Sequence, residues 1–264
     1  MLKQKTNFMS GVMMKNRRYR KQGGFTLIEI AIVLVIIGLL LGGVLKGQEL
    51  INTARVRALN NSVDGITAAW FNFQDRYRAY PGDYNKAEVN LPDPTGVAGT
   101  IVKNGDGNGR VGDKAGTYDA AESANVWVQL QAAGYITADF DGGVSTTLTA
   151  DTYDCSVDTC PDNGFGAGMN LNYGLQILSG VVGTTADAHE LMTGFGIPVE
   201  VLAELDRKVD DGNPDSGSMQ IGKGGATGGW STTESAACYS GTAPDLNYKV
   251  QNPSSNCAAV FRNF

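Results

Sequence analysis

The sequence predicts an α+β protein in which one long N-terminal helix is laid on an antiparallel β-sheet head. Three patterns predict it. Residues 25–45 form an apolar run with a single charge. Val56, Leu59, Val63, Ile66, Trp70, Phe73 and Tyr77 then recur at spacings of three and four, the period of a helix with one buried stripe. Beyond Tyr80, short apolar segments are separated by clusters of Gly, Asn, Asp, Ser and Thr. Strand and helix signals there do not alternate regularly, which favours an antiparallel arrangement over a doubly wound one.

The charge distribution says more than its sum. The chain has 264 residues, 21 Lys and Arg, 27 Asp and Glu, and a net charge of −6. Seven of the basic residues and no acid lie in residues 1–24, leaving 14 basic against 27 acidic residues, a net −13. A basic leader thus precedes an acidic body. That body offers no net attraction to phosphate, so no nucleic-acid partner is expected.

The apolar run from Phe25 to Leu45 is 21 residues long, enough at ~1.5 Å per residue to cross a hydrocarbon core of about 30 Å. Its basic flank keeps the N-terminus in the cytoplasm and sends the body outward. A secretory signal carries its small-residue cleavage site after the apolar segment. Here Gly23-Gly24 precedes it, so cleavage after Gly24 retains the helix and makes Phe25 the new N-terminus. Glu29 lies within the apolar run, and an acid in hydrocarbon points to function by default.

The block Gly23-Gly24-Phe25-Thr26-Leu27-Ile28-Glu29 with its unbroken apolar helix resembles the signal of type IV pilins and type II secretion pseudopilins. The resemblance implies that a prepilin peptidase cuts at Gly24 and methylates the amine of Phe25. It implies that Glu29 pairs with the terminal amine of a neighbouring subunit during filament assembly. A pilin-like fold, an inner-membrane assembly platform, and homo- or hetero-polymerisation with other pilin-like subunits are implied with it. So is residence in the bacterial inner membrane before transfer to a periplasmic pseudopilus or a surface pilus. Many pilins bend this helix at a proline, and this chain has none between Phe25 and Tyr80.

The expected organisation is a cleaved leader at 1–24, a long helix at 25–78 and an α+β head at 79–264. Tyr80-Pro81-Gly82-Asp83 supplies the turn chemistry that ends the helix. A second helix is expected over about 120–133, opened by Asp119-Ala-Ala-Glu122 as a capping-box variant, burying Val126, Trp127 and Leu130 and closed by Gly134. A third is expected from Pro198 to before Gly212, with Leu202, Leu205 and Val209 on one face. Strands are expected near 145–149, 171–183, 218–222, 236–240, 247–251 and 257–262.

Cys155, Cys160, Cys238 and Cys257 all follow the export segment, and an exported domain defaults to two disulfides. Three connectivities exist; the local pairs Cys155–Cys160 and Cys238–Cys257 are favoured because they close small loops. The second pair resembles the disulfide-bounded C-terminal region of pilins. Zinc is the rival, against which Cys-Ser-Val-Asp-Thr-Cys lacks a matched second Cys pair.

Two acidic loops carry a calcium reading. Asn104, Asp106 and Asn108 alternate ahead of Gly109 like the front of a calcium loop. Ala115 stands at its twelfth position, so Asp113 or Glu122 must complete it. The same residues also suit a plain hairpin turn. Asp206, Asp210, Asp211 and Asp215 with Asn213 crowd residues 206–217 at the end of the third helix, where pseudopilins often hold calcium, with Asp210, Asp211, Asn213 and Asp215 the candidate ligands; a capped helix end and solvated turn is the other reading.

Enzyme signals are weak, and no enzyme is expected. Gly222–Gly229 lacks the Gly-Lys-Ser/Thr ending of a phosphate loop, so no nucleotide is expected. No Cys-x-x-Cys-His is present to attach haem. His189, the one histidine, reads as a helix-surface or satisfied residue rather than a base. The expected function is therefore a polymerising structural subunit. The alternative is an exported calcium-dependent module for glycan or cargo that is anchored by its helix and does not polymerise.

Overall fold

A computed structural model describes residues 25–93, 102–114, 117–118, 120–140, 159–173, 188–222, 236–241, 246–262 and 264. The chain divides into two compact units, Met1–Gln48 and Glu49–Phe264. Helix α1 runs from Leu27 to Tyr77. In the first unit its apolar side chains, from Phe25 to Leu45, are exposed, and an 18-residue window of mean hydropathy 2.8 is long and apolar enough to cross a membrane.

Within the second unit the expected seam becomes the spine of the core. Val56, Leu59, Val63, Ile66, Trp70 and Phe73 are buried, and Tyr77 packs against them. Arg78, at φ 54°, takes the left-handed conformation that ends helices, and the Tyr80–Asp83 turn follows. A one-turn helix α2, Ala87–Asn90, and a two-residue hairpin, β1 (Asp113–Lys114) with β2 (Thr117–Tyr118), are elements too short for periodicity to signal.

Helix α3, Ala120–Ala132, buries Val126, Trp127 and Leu130 completely. Gly134 closes it at φ 77°, with the Tyr135 N–H returning to the Leu130 carbonyl. Helix α4, Val199–Val209, starts directly after Pro198. It buries Leu202 and Leu205, but Val209 is exposed, because the last turn moves away from the core as the chain enters the acidic loop.

The main sheet has the order β3 (Asn170–Tyr173), β4 (His189–Met192), β8 (Ala259–Phe261), β5 (Met219–Ile221), antiparallel throughout. The register aligns Leu171, Leu191, Phe261 and Met219 in one row, and strand alternation puts Tyr173 and His189 on the same face. That face meets α1, with the His189 and Trp70 rings 5.0 Å apart. The opposite face is polar: Asn172 meets Ser123 of α3, and Glu190 pairs with Arg262 at 2.9 Å. The long N-terminal helix and antiparallel sheet form the α+β layout of a pilin-like fold.

The strand ends fall near 218–222, 236–240, 247–251 and 257–262, with β6 (Tyr239–Ser240) and β7 (Asn247–Tyr248) forming a separate hairpin. The expected 145–149 strand lies outside the described residues, as does most of 171–183. Strand β4 corrects the reading of His189 as a helix-surface residue; its four residues are too few to show a period. Its imidazole is buried and satisfied, its Nε2 accepting the Val111 N–H at 3.3 Å.

Candidate functional sites

Thr26 and Glu29 build the start of α1. The Thr26 N–H and hydroxyl donate to Glu29 Oε2 at 2.7 and 2.8 Å, and the Glu29 N–H returns to the Thr26 hydroxyl at 3.3 Å. This is the reciprocal pattern of a capping box, which satisfies N–H groups that the first helical turn leaves unpaired. Phe25 lies one residue upstream and is exposed. Gly24 lies outside the described residues.

The first acidic centre assembles around two buried carboxylates. Asp83 accepts the N–H groups of Asn108 and Gly109, both at 2.9 Å. Glu122, at the start of α3, accepts those of Asp106 at 2.9 Å and Gly112 at 3.1 Å. The 102–112 segment is therefore wrapped over Asp83 and Glu122 by its own backbone. Close packing fixes the approach: a Cβ on Gly105 would lie 2.3 Å from the Gly82 carbonyl oxygen. Gln129, fully buried, clamps both sides, accepting the Gly82 N–H at 2.7 Å and donating to the Lys103 carbonyl at 2.8 Å.

One carboxylate oxygen each of Asp83, Asp106 and Glu122 lies within 4.8 Å of the others. Burial, and then the neighbouring Asp106 and Asp83 charges, push the Glu122 carboxyl up to about 7; burial also raises Asp83. Asn104 is occupied elsewhere, accepting the Glu88 N–H at 3.0 Å. Asn108 accepts the Arg110 N–H at 2.7 Å and donates to Asp106 at 3.0 Å. Asp113 falls in β1, and its side chain lies outside the described residues. Asp83 had no signal in the sequence beyond its place in a turn.

The second centre gathers Asp206, Asp210 and Asp211, again within 4.8 Å. Asp206 is fully buried and accepts the Tyr248 hydroxyl at 2.7 Å. Burial outweighs that bond and pushes its carboxyl up to about 6, and it raises Tyr248 as well. Asp210 accepts the N–H groups of Ser218 and Met219, leaving no room for a Cβ at Gly217. Asp211 accepts the Ser216 hydroxyl at 2.6 Å. Asn213 accepts the Asp215 N–H at 3.2 Å, and Asp215 does not belong to the carboxylate cluster. Asp206, the first acid of the 206–217 run, lies four residues after Leu202 and so shares the buried face of α4.

Both donor sets fit a hard cation. Calcium binds carboxylate oxygens at 2.3–2.6 Å, so two ligands of one ion stand no more than about 5 Å apart. In the first centre Asp106 and Asp83 raise the proton affinity of Glu122, and in the second Asp211 and Asp210 raise that of Asp206, a repulsion that a divalent charge would relieve.

Cys238 and Cys257 form a disulfide, tying the β6–β7 hairpin to the segment entering β8. Cys160 is buried and disulfide-bonded; Cys155 lies outside the described residues.

Residues 19–45 match the family model of the prokaryotic N-terminal methylation motif, the prepilin-type signal of type IV pilins and pseudopilins. No curated protein and no solved structure matches the chain. The matched segment covers the basic end of the leader, Gly24, Phe25, Glu29 and the apolar first part of α1. It points to a structural subunit processed by prepilin peptidase, assembling with pilin-like subunits and anchored in the inner membrane beforehand.

Proposed function

We propose that this chain polymerises into a type IV pilus or type II secretion pseudopilus after cleavage between Gly24 and Phe25. The observation that carries the reading is the methylation motif directly joined to an exposed apolar helix that holds one acid, Glu29. Cleavage places the Phe25 amine four residues before Glu29, and Glu29 neutralises the amine of the adjacent subunit. The head from residue 79 forms the outer surface of the filament, serving adhesion, motility or protein secretion.

Intact mass and N-terminal sequencing, on protein from membranes and from sheared surface material, test this. A chain starting at methylated Phe25 in sheared filaments is the expected result. An N-terminus upstream of Phe25 in the functional pool overturns it and leaves the anchored, non-polymerising binding module.

Calcium is the ligand proposed for the head, held by Asp83, Asp106 and Glu122 and by Asp206, Asp210 and Asp211. Its chemistry there is structural, replacing protons and repulsion with coordination. Since ligands must be deprotonated to bind, the raised affinities of Glu122 and Asp206 for protons set the sign. At pH 5 calcium competes with those protons; at pH 8 it does not. Millimolar calcium is therefore expected to raise the thermal midpoint of the full chain, and to raise it more at pH 8 than at pH 5. Melts in calcium and in chelator check this, and identical midpoints at pH 8 would remove calcium from the proposal.

A further inference from the structure

The geometry points to His189 as an acid-sensitive latch that fastens the 102–112 segment and the Tyr80 turn to the core, and opens when its ring is protonated. The ring is buried against one group from each of four segments. Trp70 of α1 lies at 5.0 Å, Tyr80 of the turn at 4.4 Å and Tyr173 of β3 at 5.1 Å between ring centroids. The fourth is the Val111 N–H, donated to Nε2.

That hydrogen bond decides the protonation state. A nitrogen that accepts an N–H carries no proton, so the ring proton resides on Nδ1. Adding a second proton puts it on Nε2, where two donors face each other in a buried space. The bond is lost, and the Val111 N–H is left unpaired away from water.

Among the described residues no acid faces the ring to offset a positive charge. The titratable groups facing it are the phenols of Tyr80 and Tyr173. Arg110, stacked on Tyr173 at 4.9 Å, adds a like charge. Phe264 meets Trp70 rather than the ring. On its own strand Glu190 faces the other side of the sheet and pairs with Arg262. Among the described residues no carboxylate pairs with His189, and burial holds its pKa down at about 4.

Two of these four segments, those of Tyr80 and Val111, lead directly into Asp83 and the Asp106 loop. Val111 also accepts the Tyr173 N–H at 2.8 Å, so losing its bond to His189 loosens the wrap over Asp83 and Glu122. For a ring with pKa about 4 when folded and an ordinary value near 6.5 when unfolded, the unfolded chain binds more protons between these limits. This contribution is present above pH 6.5 and lost as pH falls. At pH 4.5 the folding equilibrium is weakened by roughly 50- to 100-fold through this group.

The chain has one histidine, so its imidazole nitrogens are unambiguous in nitrogen-15 spectra of the full-length protein in detergent. The expected result is an Nδ1–H tautomer that persists below pH 5.5. Deuterium exchange of the 104–112 peptide, corrected for intrinsic rate, is expected to lose protection at pH 4.5. His189→Gln, which retains an acceptor that does not protonate, is expected to keep that protection. A ring that titrates near 6.5, or protection lost equally in both chains, overturns the latch. The spectra of the unsubstituted chain decide the point even if His189→Gln does not fold.

Discussion

A Glu29→Gln chain is expected to be processed normally and to accumulate in the membrane, while its signal in sheared filaments falls to background. Glutamine keeps an acceptor for the Thr26 N–H and hydroxyl, which now bind Glu29 Oε2 at 2.7 and 2.8 Å, so the first turn of α1 stays capped. What the substitution removes is the charge. In a polymer core formed from the apolar face of α1, each unpaired terminal amine would be a cation in a low-dielectric environment, and an uncharged amide cannot neutralise it. Immunoblots of membrane and sheared fractions, with the N-terminus confirmed by mass, separate the two steps. Filaments at the unsubstituted level would show that Glu29 serves only its own helix and that assembly does not depend on its charge.

The parts of the fold that were legible in the sequence are those whose physics is local and periodic. The seam from Val56 to Tyr77 repeats often enough to specify a helix and its buried face, and α3 and α4 carry their own start and stop signals. Four-residue β4 was missed because His189-Glu190-Leu191-Met192 offers only two residues per face. Its polar face is stabilised by Arg262 and its other face by α1, both distant in sequence.

The same distinction holds at the acidic centres. Asp106, Asp210 and Asp211 stood out because acids crowd together along the chain. Asp83 did not, since it reads as a turn residue, and Asp206 was legible only as the first acid of the 206–217 run, not as a buried one. Only the wrap of 102–112 over the Asp83 turn, and the approach of Tyr248 to α4, reveal them as the buried members of each cluster. Glu122 lay between these cases: it was legible as a helix-start residue, and its carboxylate also serves the loop.

Trp70→Ala is expected to cost about 3–5 kcal/mol of stability. The indole is fully buried and contacts Tyr80 at 5.3 Å, His189 at 5.0 Å and Phe264 at 6.1 Å. Its removal therefore opens a cavity shared by α1, the turn, β4 and the segment of Phe264, four segments that cannot all collapse into it. Since a domain has a margin of roughly 5–15 kcal/mol, much of the head's stability goes with it. Trp70→Phe separates volume from polarity: the indole N–H has no hydrogen-bond partner among the described residues, so replacing it sacrifices no bond. That variant leaves a smaller cavity than alanine and should therefore cost less than Trp70→Ala. Phe71→Ala, one residue on, is the internal control, because Phe71 is 46% exposed and surface truncations stay within about 0.5 kcal/mol. Denaturant titrations of the three variants in one detergent, read by near-ultraviolet circular dichroism, compare them directly. Equal losses at Trp70 and Phe71 would mean that the helix face read as the core spine is not the one the head is built on.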